Sequence, residues 1–230
     1  MKQIKSISAI ILLATMSLYF SACNDEGSNN DGNFGNSSIT VINAKVENGE
    51  NYNSTVKVVK AMAYTSFNQG IVIGTGTYSN SSFTIELPTT VDEQYLELIL
   101  PNFGLGDNEG IKVSNPNVKT CSIDIYGFDK LNSPYGNQIV TFEYNTQLPS
   151  WTSNKDDRFH TYGEIIYVNG DVTITGSYYD SDNTHFNIFL KKGWNIMYLE
   201  TEEVYNGNSY EKEIFHITNN APNNMKWWAY

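Results

Sequence analysis

From Ile39 onward, apolar and polar residues alternate with a period of two. In SSFTIELP (81–88), Phe83, Ile85 and Leu87 fall on one side, Thr84 and Glu86 on the other. That is the pattern of an antiparallel strand buried on one face. The same alternation predicts strands over 39–47, 54–64 and 70–78, with NGEN (48–51) and SNSS (79–82) supplying turns. QYLELIL (94–100) closes a first unit of about five strands, unless TVDEQYLELI opens with a helical turn. PNFGLGDNEGIKVSNPN (101–117) is rich in Gly, Asn and Pro and reads as a domain boundary. Beyond it, strands are predicted at 118–128, 137–145, 162–168, 171–179, 184–190, 194–204, 210–218 and 225–230. YVNGDVT holds an Asn-Gly pair between two of them, a strong hairpin signal. LKKGW (190–194) reads as another tight reversal, and QLPSWTSNKDDRFHT (147–161) as a longer irregular stretch. No amphipathic helix of about ten residues is evident. Strands at this spacing predict an all-β chain of two consecutive antiparallel β-sandwich domains, 39–103 and 118–230, joined by a linker at 104–117. A single large barrel is the less favoured arrangement.

The residues before Ile39 follow another pattern. Lys2 and Lys5 precede an apolar run from Ile7 to Phe20, shorter than the ~20 residues of a membrane-spanning helix. Ser21 and Ala22 then lead to Cys23. A charged start, an apolar middle and small residues make an export signal over 1–22. With cysteine directly following, the segment resembles the bacterial lipobox; an ordinary cleaved signal is the plainer alternative. The resemblance implies that the Cys23 thiol is acylated and attaches the protein to a membrane. Each buried CH₂ contributes about 0.8 kcal/mol, so two or more acyl chains hold it lastingly. NDEGSNNDGNFGNSS (24–38) has almost no apolar residue, cannot offset the entropy of ordering, and reads with Cys23 as a flexible acidic tether over 23–38. Its reach is at most about 50 Å. Its Asp25–Glu26 pair resembles the surface-export signal of Bacteroidetes lipoproteins, which implies the outer face of the outer membrane; a linker facing the periplasm is the alternative.

Composition narrows the options. Among 230 residues are 16 Tyr, 11 Phe and 4 Trp, a mixture that suits strands and leaves rings to spare. The net charge is −11, and removal of Lys2 and Lys5 deepens it by two. Such a balance repels nucleic acid and anionic headgroups, so neither is expected as a partner. Only two cysteines are present. Acylation of Cys23 leaves Cys121 unpaired, which excludes a disulfide framework. Cys121 alternates with Ile123 and Ile125 and is expected to be buried.

ITVINAKVENGENYNSTVKVVKAMAY followed by GTYSNSSFTIELPTTVDEQYL resembles the N-terminal domain of Bacteroidetes surface lipoproteins, in which a transthyretin-like or Ig-like sandwich follows the lipid tether. DVTITGS followed by FLKKGWNIMY resembles a second β-domain of the same group. The resemblance implies an exported lipoprotein and supplies no active site.

Motifs that would carry chemistry are weak. His160, His185 and His216 lie in no metal-ligand spacing, so no metal or cofactor is expected. NKDDRFHTYGE (154–164) gathers Asp156, Asp157, Arg158, His160 and Glu164. Adjacent Asp156 and Asp157 on an extended segment point apart, unlike a glycosidase pair, and a solvated loop is the simpler reading. Asp180 and Asp182 have the spacing of a calcium loop, but His185 and Lys191 occupy the positions that would need Gly and Glu. GTGTYS (74–79) lacks the helix and Gly-Lys-Ser/Thr ending of a phosphate loop, and YSNSS (78–82) is no nucleophile elbow. Aromatics are the better candidates. Trp151, Tyr178, Tyr179, Trp227 and Trp228 could offer faces that stack on a sugar or anchor a protein.

The expected function is therefore that of a lipid-anchored, non-catalytic module that binds a glycan or an envelope protein. The first alternative is a pilin-like or adhesin subunit, with MKWWAY (225–230) as a detachable strand. The second is a surface hydrolase using Asp156, Asp157, His160 or Glu164.

Overall fold

The computed structural model describes residues 39–64, 70–102, 110–146, 159–178, 183–206, 209–222 and 224–230. Asn36–Tyr230 is one compact unit. Its strands are β1 (Val41–Glu47), β2 (Val58–Tyr64), β3 (Gly70–Ser79), β4 (Ser82–Glu86), β5 (Glu97–Leu98), β6 (Ile111–Val113) and β7 (Lys119–Phe128). They continue with β8 (Val140–Asn145), β9 (Phe159–Val168), β10 (Val172–Tyr178), β11 (Thr184–Leu190), β12 (Gly193–Asn206), β13 (Ser209–Thr218) and β14 (Lys226–Ala229). Helical turns are short: Gly49–Tyr52, Glu93–Tyr95 and Ile99–Asn102. The Asp92 carboxylate caps the second by accepting from the Gln94 backbone N–H at 3.2 Å. QYLELIL is thus mostly helical turn, with only Glu97–Leu98 in a strand.

The chain is all-β, as the alternation predicts, but its two halves do not form two separate sandwiches. Eight strands close into a barrel in the order β7-β2-β3-β4-β1-β14-β8-β9 and back to β7. Two strands join the halves: β7 pairs with β2 from the first half and with β8 and β9 from the second, and β14 pairs with β1 from the first and β8 from the second. The stretch expected as linker contains β6, which pairs with β10. Period-two alternation records which face of a strand is buried; it does not record which strand lies beside it.

Alternation also explains the barrel core. Along β1, Ile42, Ala44 and Val46 are buried, between exposed neighbours, and pack with Ile85, Ile125 and Phe142. Burying each large apolar side chain contributes about 1.5–3 kcal/mol. Trp194 at the start of β12 is fully buried, sets its ring edge-on to Tyr167 at 5.3 Å, and donates its indole N–H to the Pro88 carbonyl at 2.7 Å. Cys121 is a free, buried thiol of the same core, and burial pushes its pKa up to about 12.

A second core lies on the outer side of β9, where Ile166 and Val168 pack with Ile174, Ile188, Leu190 and Met197. Both tight reversals expected from sequence serve this layer instead of making hairpins. β10 pairs with β11 and β6, not with β9, and β11 pairs with β13 and β10, not with β12. At the first reversal Asn169 is tied to Lys119: its N–H donates to the Lys119 carbonyl, and its side-chain oxygen accepts the Lys119 N–H at 2.9 Å. At the second, Gly193 takes a positive φ of 109°.

Candidate functional site

The barrel wall is not uniformly paired. Residues 120–123 of β7 pair with β9, through Ile123↔Ile165, and residues 125–127 pair with β8, through Ile125↔Phe142. Strand β8 meets β9 only beyond this point, through Tyr144↔Gly163. Each of the three strands therefore has one residue at which it has left one neighbour and not yet joined the other. Those residues are Asp124, Glu143 and Glu164. Their chain neighbours Ile123, Ile125, Phe142 and Ile165 belong to the barrel core, so all three carboxylates stand on the outer face. On its far flank each lies opposite an apolar residue: Met62, Trp228 and Met197 respectively.

A cleft of about 380 Å³ opens at this fork. Besides the three acids it is lined by Tyr126, Tyr144, Tyr162 and Trp227, and no Lys, Arg or His is among the lining residues. Trp227 and Tyr144 lie with ring centroids 5.2 Å apart, and Trp227 meets Phe83 edge-on at 5.4 Å. Tyr126 is covered edge-on by the exposed Tyr135 ring at 6.0 Å. Close approach of β8 and β9 requires Gly163: a Cβ there would stand 2.7 Å from the Tyr144 ring.

The electrostatics follow from the walls. Burial pushes the Glu164 carboxyl above its ordinary pKa, a Ser122 hydrogen bond opposes the rise, and the Asp124 charge adds to it. Burial also raises Glu143, with a hydrogen bond from Asn145 acting against it and the Asp124 charge with it. Asp124 keeps its side chain exposed at the mouth, yet its surroundings withdraw enough water to raise it too, against the Tyr126 hydroxyl that donates to it at 3.1 Å. Lysines on the flanking strands are engaged elsewhere. Lys60 donates to the Ser133 carbonyl at 2.7 Å, and Lys226 pairs with Glu47 at 3.0 Å.

Beside the acids, two buried polar atoms have no partner among the described residues: the Asn145 side-chain oxygen and the Trp228 indole nitrogen. Asn145 is 1% exposed and stands two residues along β8 from Glu143, on the same face. Its amide nitrogen donates to the Tyr230 hydroxyl at 3.0 Å and to Glu143 at 3.5 Å. Burial pushes the Tyr230 phenol up to about 12, with the Asn145 hydrogen bond opposing and Glu143 and Tyr162 adding to the rise.

Of the residues singled out from sequence, Trp227 and Trp228 come to this site. Tyr178 stands instead on β10, packed against the second core. Cys23, Trp151 and Tyr179 lie outside the described residues, as do Asp156, Asp157, Arg158, Asp180 and Asp182. Glu164 and His160 are not in a loop, because β9 begins at Phe159. Asp124 and Glu143 were not singled out at all. The signal for them was an acid within two residues of a tyrosine on three strands: DIY (124–126), EY (143–144) and YGE (162–164).

The histidines form a different feature. Ser177 and His185 Nδ1 are 2.7 Å apart, the His185 and His216 rings stack at 5.1 Å, and His216 reaches Glu202 at 3.9 Å. Among the described residues no group of three or more His, Cys, Asp and Glu is arranged to hold a metal ion.

Compared with known protein families, curated proteins and solved structures, the chain matches none.

Proposed function

We propose that this is an envelope lipoprotein, anchored through acylated Cys23 and exposed at the outer-membrane surface, that acts as a non-catalytic binding module for a glycan. The observation that carries the reading is the fork cleft, where three carboxylates stand on the outer face of the barrel with the side chains of Tyr126 and Tyr162. Sugar rings present CH faces that stack on aromatics, and hydroxyls that both donate and accept hydrogen bonds. The cleft offers both, through its three carboxylates and the rings of Tyr126 and Tyr162. Its volume sits at the small end of the roughly 300–1,000 Å³ of small-molecule sites, which suits a sugar unit more than a protein face.

A pilin-like subunit would need a terminal strand ready to leave. Strand β14 is instead hydrogen-bonded on both flanks, to β1 and to β8, which weighs against that alternative. Screening the purified protein on glycan and polysaccharide arrays tests the reading. Signals that disappear in Tyr162→Ala are expected, and a blank array removes the glycan. Mass spectrometry of the native product, showing residue 23 diacylated or triacylated, tests the anchor.

A further inference from the structure

We propose that the ligand is a chain of several sugar units, which leaves the fork cleft over Tyr135 of the β7–β8 loop (129–139), and that Lys60 is the residue that positions this ring. The inference rests on the glycan-binding reading and adds the length of the ligand and two residues outside the cleft.

The two tyrosines on the outer face of the cleft stand at its opposite ends. Tyr126 is the register partner of Thr141, and Tyr162 that of Asn145. Those partners are four residues apart on β8, which separates the two positions by about 13 Å along the strand. No single sugar ring reaches from one to the other. Tyr126 is itself only 8% exposed, and the Tyr135 ring stands edge-on to it at 6.0 Å. Tyr135 is 46% exposed, so at this end of the cleft it is the ring whose surface a longer ligand meets. An aromatic face of this kind stacks on the CH face of a sugar.

The loop that carries Tyr135 is braced from within. The Ser133 hydroxyl donates to Asp129 at 2.5 Å, and its N–H to the Lys130 carbonyl at 3.2 Å. The Asn137 N–H donates to the Pro134 carbonyl at 3.2 Å, and the Gly136 N–H to the Gln138 side-chain oxygen at 2.8 Å. An independent observation is the lysine beneath it. Lys60 of β2 is 5% exposed, donates to the Ser133 carbonyl at 2.7 Å, and sets its ammonium 4.3 Å from the centre of the Phe128 ring. Burying an ammonium costs stability, and an apolar side chain over Phe128 would pack without that cost. What the lysine adds is a bond from the barrel wall to the loop. A ring already held in place loses little freedom when a ligand stacks on it, and ordering of that kind is otherwise paid from affinity.

The test is titration calorimetry of the purified full chain in detergent, with β-1,4-glucan, α-1,4-glucan, β-1,4-mannan and β-1,4-xylan oligosaccharides graded from disaccharide to hexasaccharide. In a series that binds, affinity is expected to rise about tenfold from disaccharide to tetrasaccharide and then to level. Tyr135→Ala is expected to remove the rise and leave the disaccharide affinity unchanged, whereas Tyr135→Phe keeps the rise. Tyr162→Ala is expected to weaken binding at every length. Lys60→Met removes the donor and keeps most of the packing, and it is expected to reproduce the pattern of Tyr135→Ala. A general loss of stability would not spare the disaccharide. Should Lys60→Met fail to fold, Tyr135→Ala, at an exposed position, still decides the path of the ligand. Affinity that does not change with length, or a Tyr135→Ala variant with the rise of the parent, would overturn the inference and leave glycan binding standing. A Lys60→Met variant that keeps the rise would overturn the positioning role. Absence of binding in all four series would overturn the inference, and with a blank array the glycan reading as well.

Discussion

Glu164 shows what its position does to a single carboxyl. Walls and the nearby Asp124 raise its pKa, so the folded state holds a proton that the unfolded chain releases. Stability on this account is highest at acid pH and is lost as pH rises through the window above the ordinary carboxylate value. Glu164→Gln removes the effect. The variant is expected to melt above the parent at pH 7, with the gap closing towards pH 4. A parent that gains on the variant between pH 4 and 7 would contradict this. Trp194 gives the opposite case, a residue whose role is packing alone. It is fully buried and hydrogen-bonded to Pro88. Trp194→Ala is expected to cost about 3–5 kcal/mol, seen as a lower denaturant midpoint at unchanged slope. The burial of Cys121 was legible in sequence, because it keeps step with Ile123 and Ile125. Asp124 and Glu143 were legible only as polar-face residues. Nothing along one strand tells that its acid faces two others on neighbouring strands.

At the scale of elements, the strands themselves were written in the chain. β1, β4 and β7 follow their predicted ranges closely, since one buried face imposes alternation. What alternation omits is the partner, and the fork is made entirely of partner changes. The Asn-Gly pair at 169–170 illustrates the gap: a local turn signal was present, but the second core pulls β10 off the barrel edge and packs it over β9. His160 read as part of an irregular stretch for a related reason, because the charged run before it masked where β9 begins, whereas Glu164 already fell in the strand predicted at 162–168. The fork depends on β8 and β9 closing beside it, and there Gly163 is the permissive residue. Gly163→Ala would drive a methyl into the Tyr144 ring, with Met225 3.2 Å away on the other side. A loss of about 1–3 kcal/mol is expected from the overpacking. Ligand affinity should fall with it, because Gly163 lines the cleft beside Glu164. Unchanged melting with unchanged binding would show that the fork tolerates a wider spacing.

For the molecule as a whole, closure is the governing fact. A sheet closed on itself has no edge in its barrel, and here the last strand makes the join: β14 runs parallel to β1 and antiparallel to β8. Because β7 binds strands from both halves of the sequence, neither half can be removed without opening the other. Unfolding of residues 36–230 is therefore expected as one transition, with hydrogen exchange in β2 and β9 slowed to the same degree. Two separated transitions would restore a pair of independent domains. Truncation before Met225 makes the sharper experiment. It exposes β1 and β8 as edges, withdraws Trp227 from Phe83 and Tyr144, and takes one wall from the fork. The truncated chain is expected to lose its cooperative melt and to associate through the open edges, and added peptide MKWWAY should restore both melt and monomer. Restoration by peptide would also show how a subunit of this shape could accept a strand from outside, although the intact chain already fills the position with its own. A truncated chain that melts like the parent would mean that the barrel does not need its final strand, and that the cleft beside it is held by β7, β8 and β9 alone.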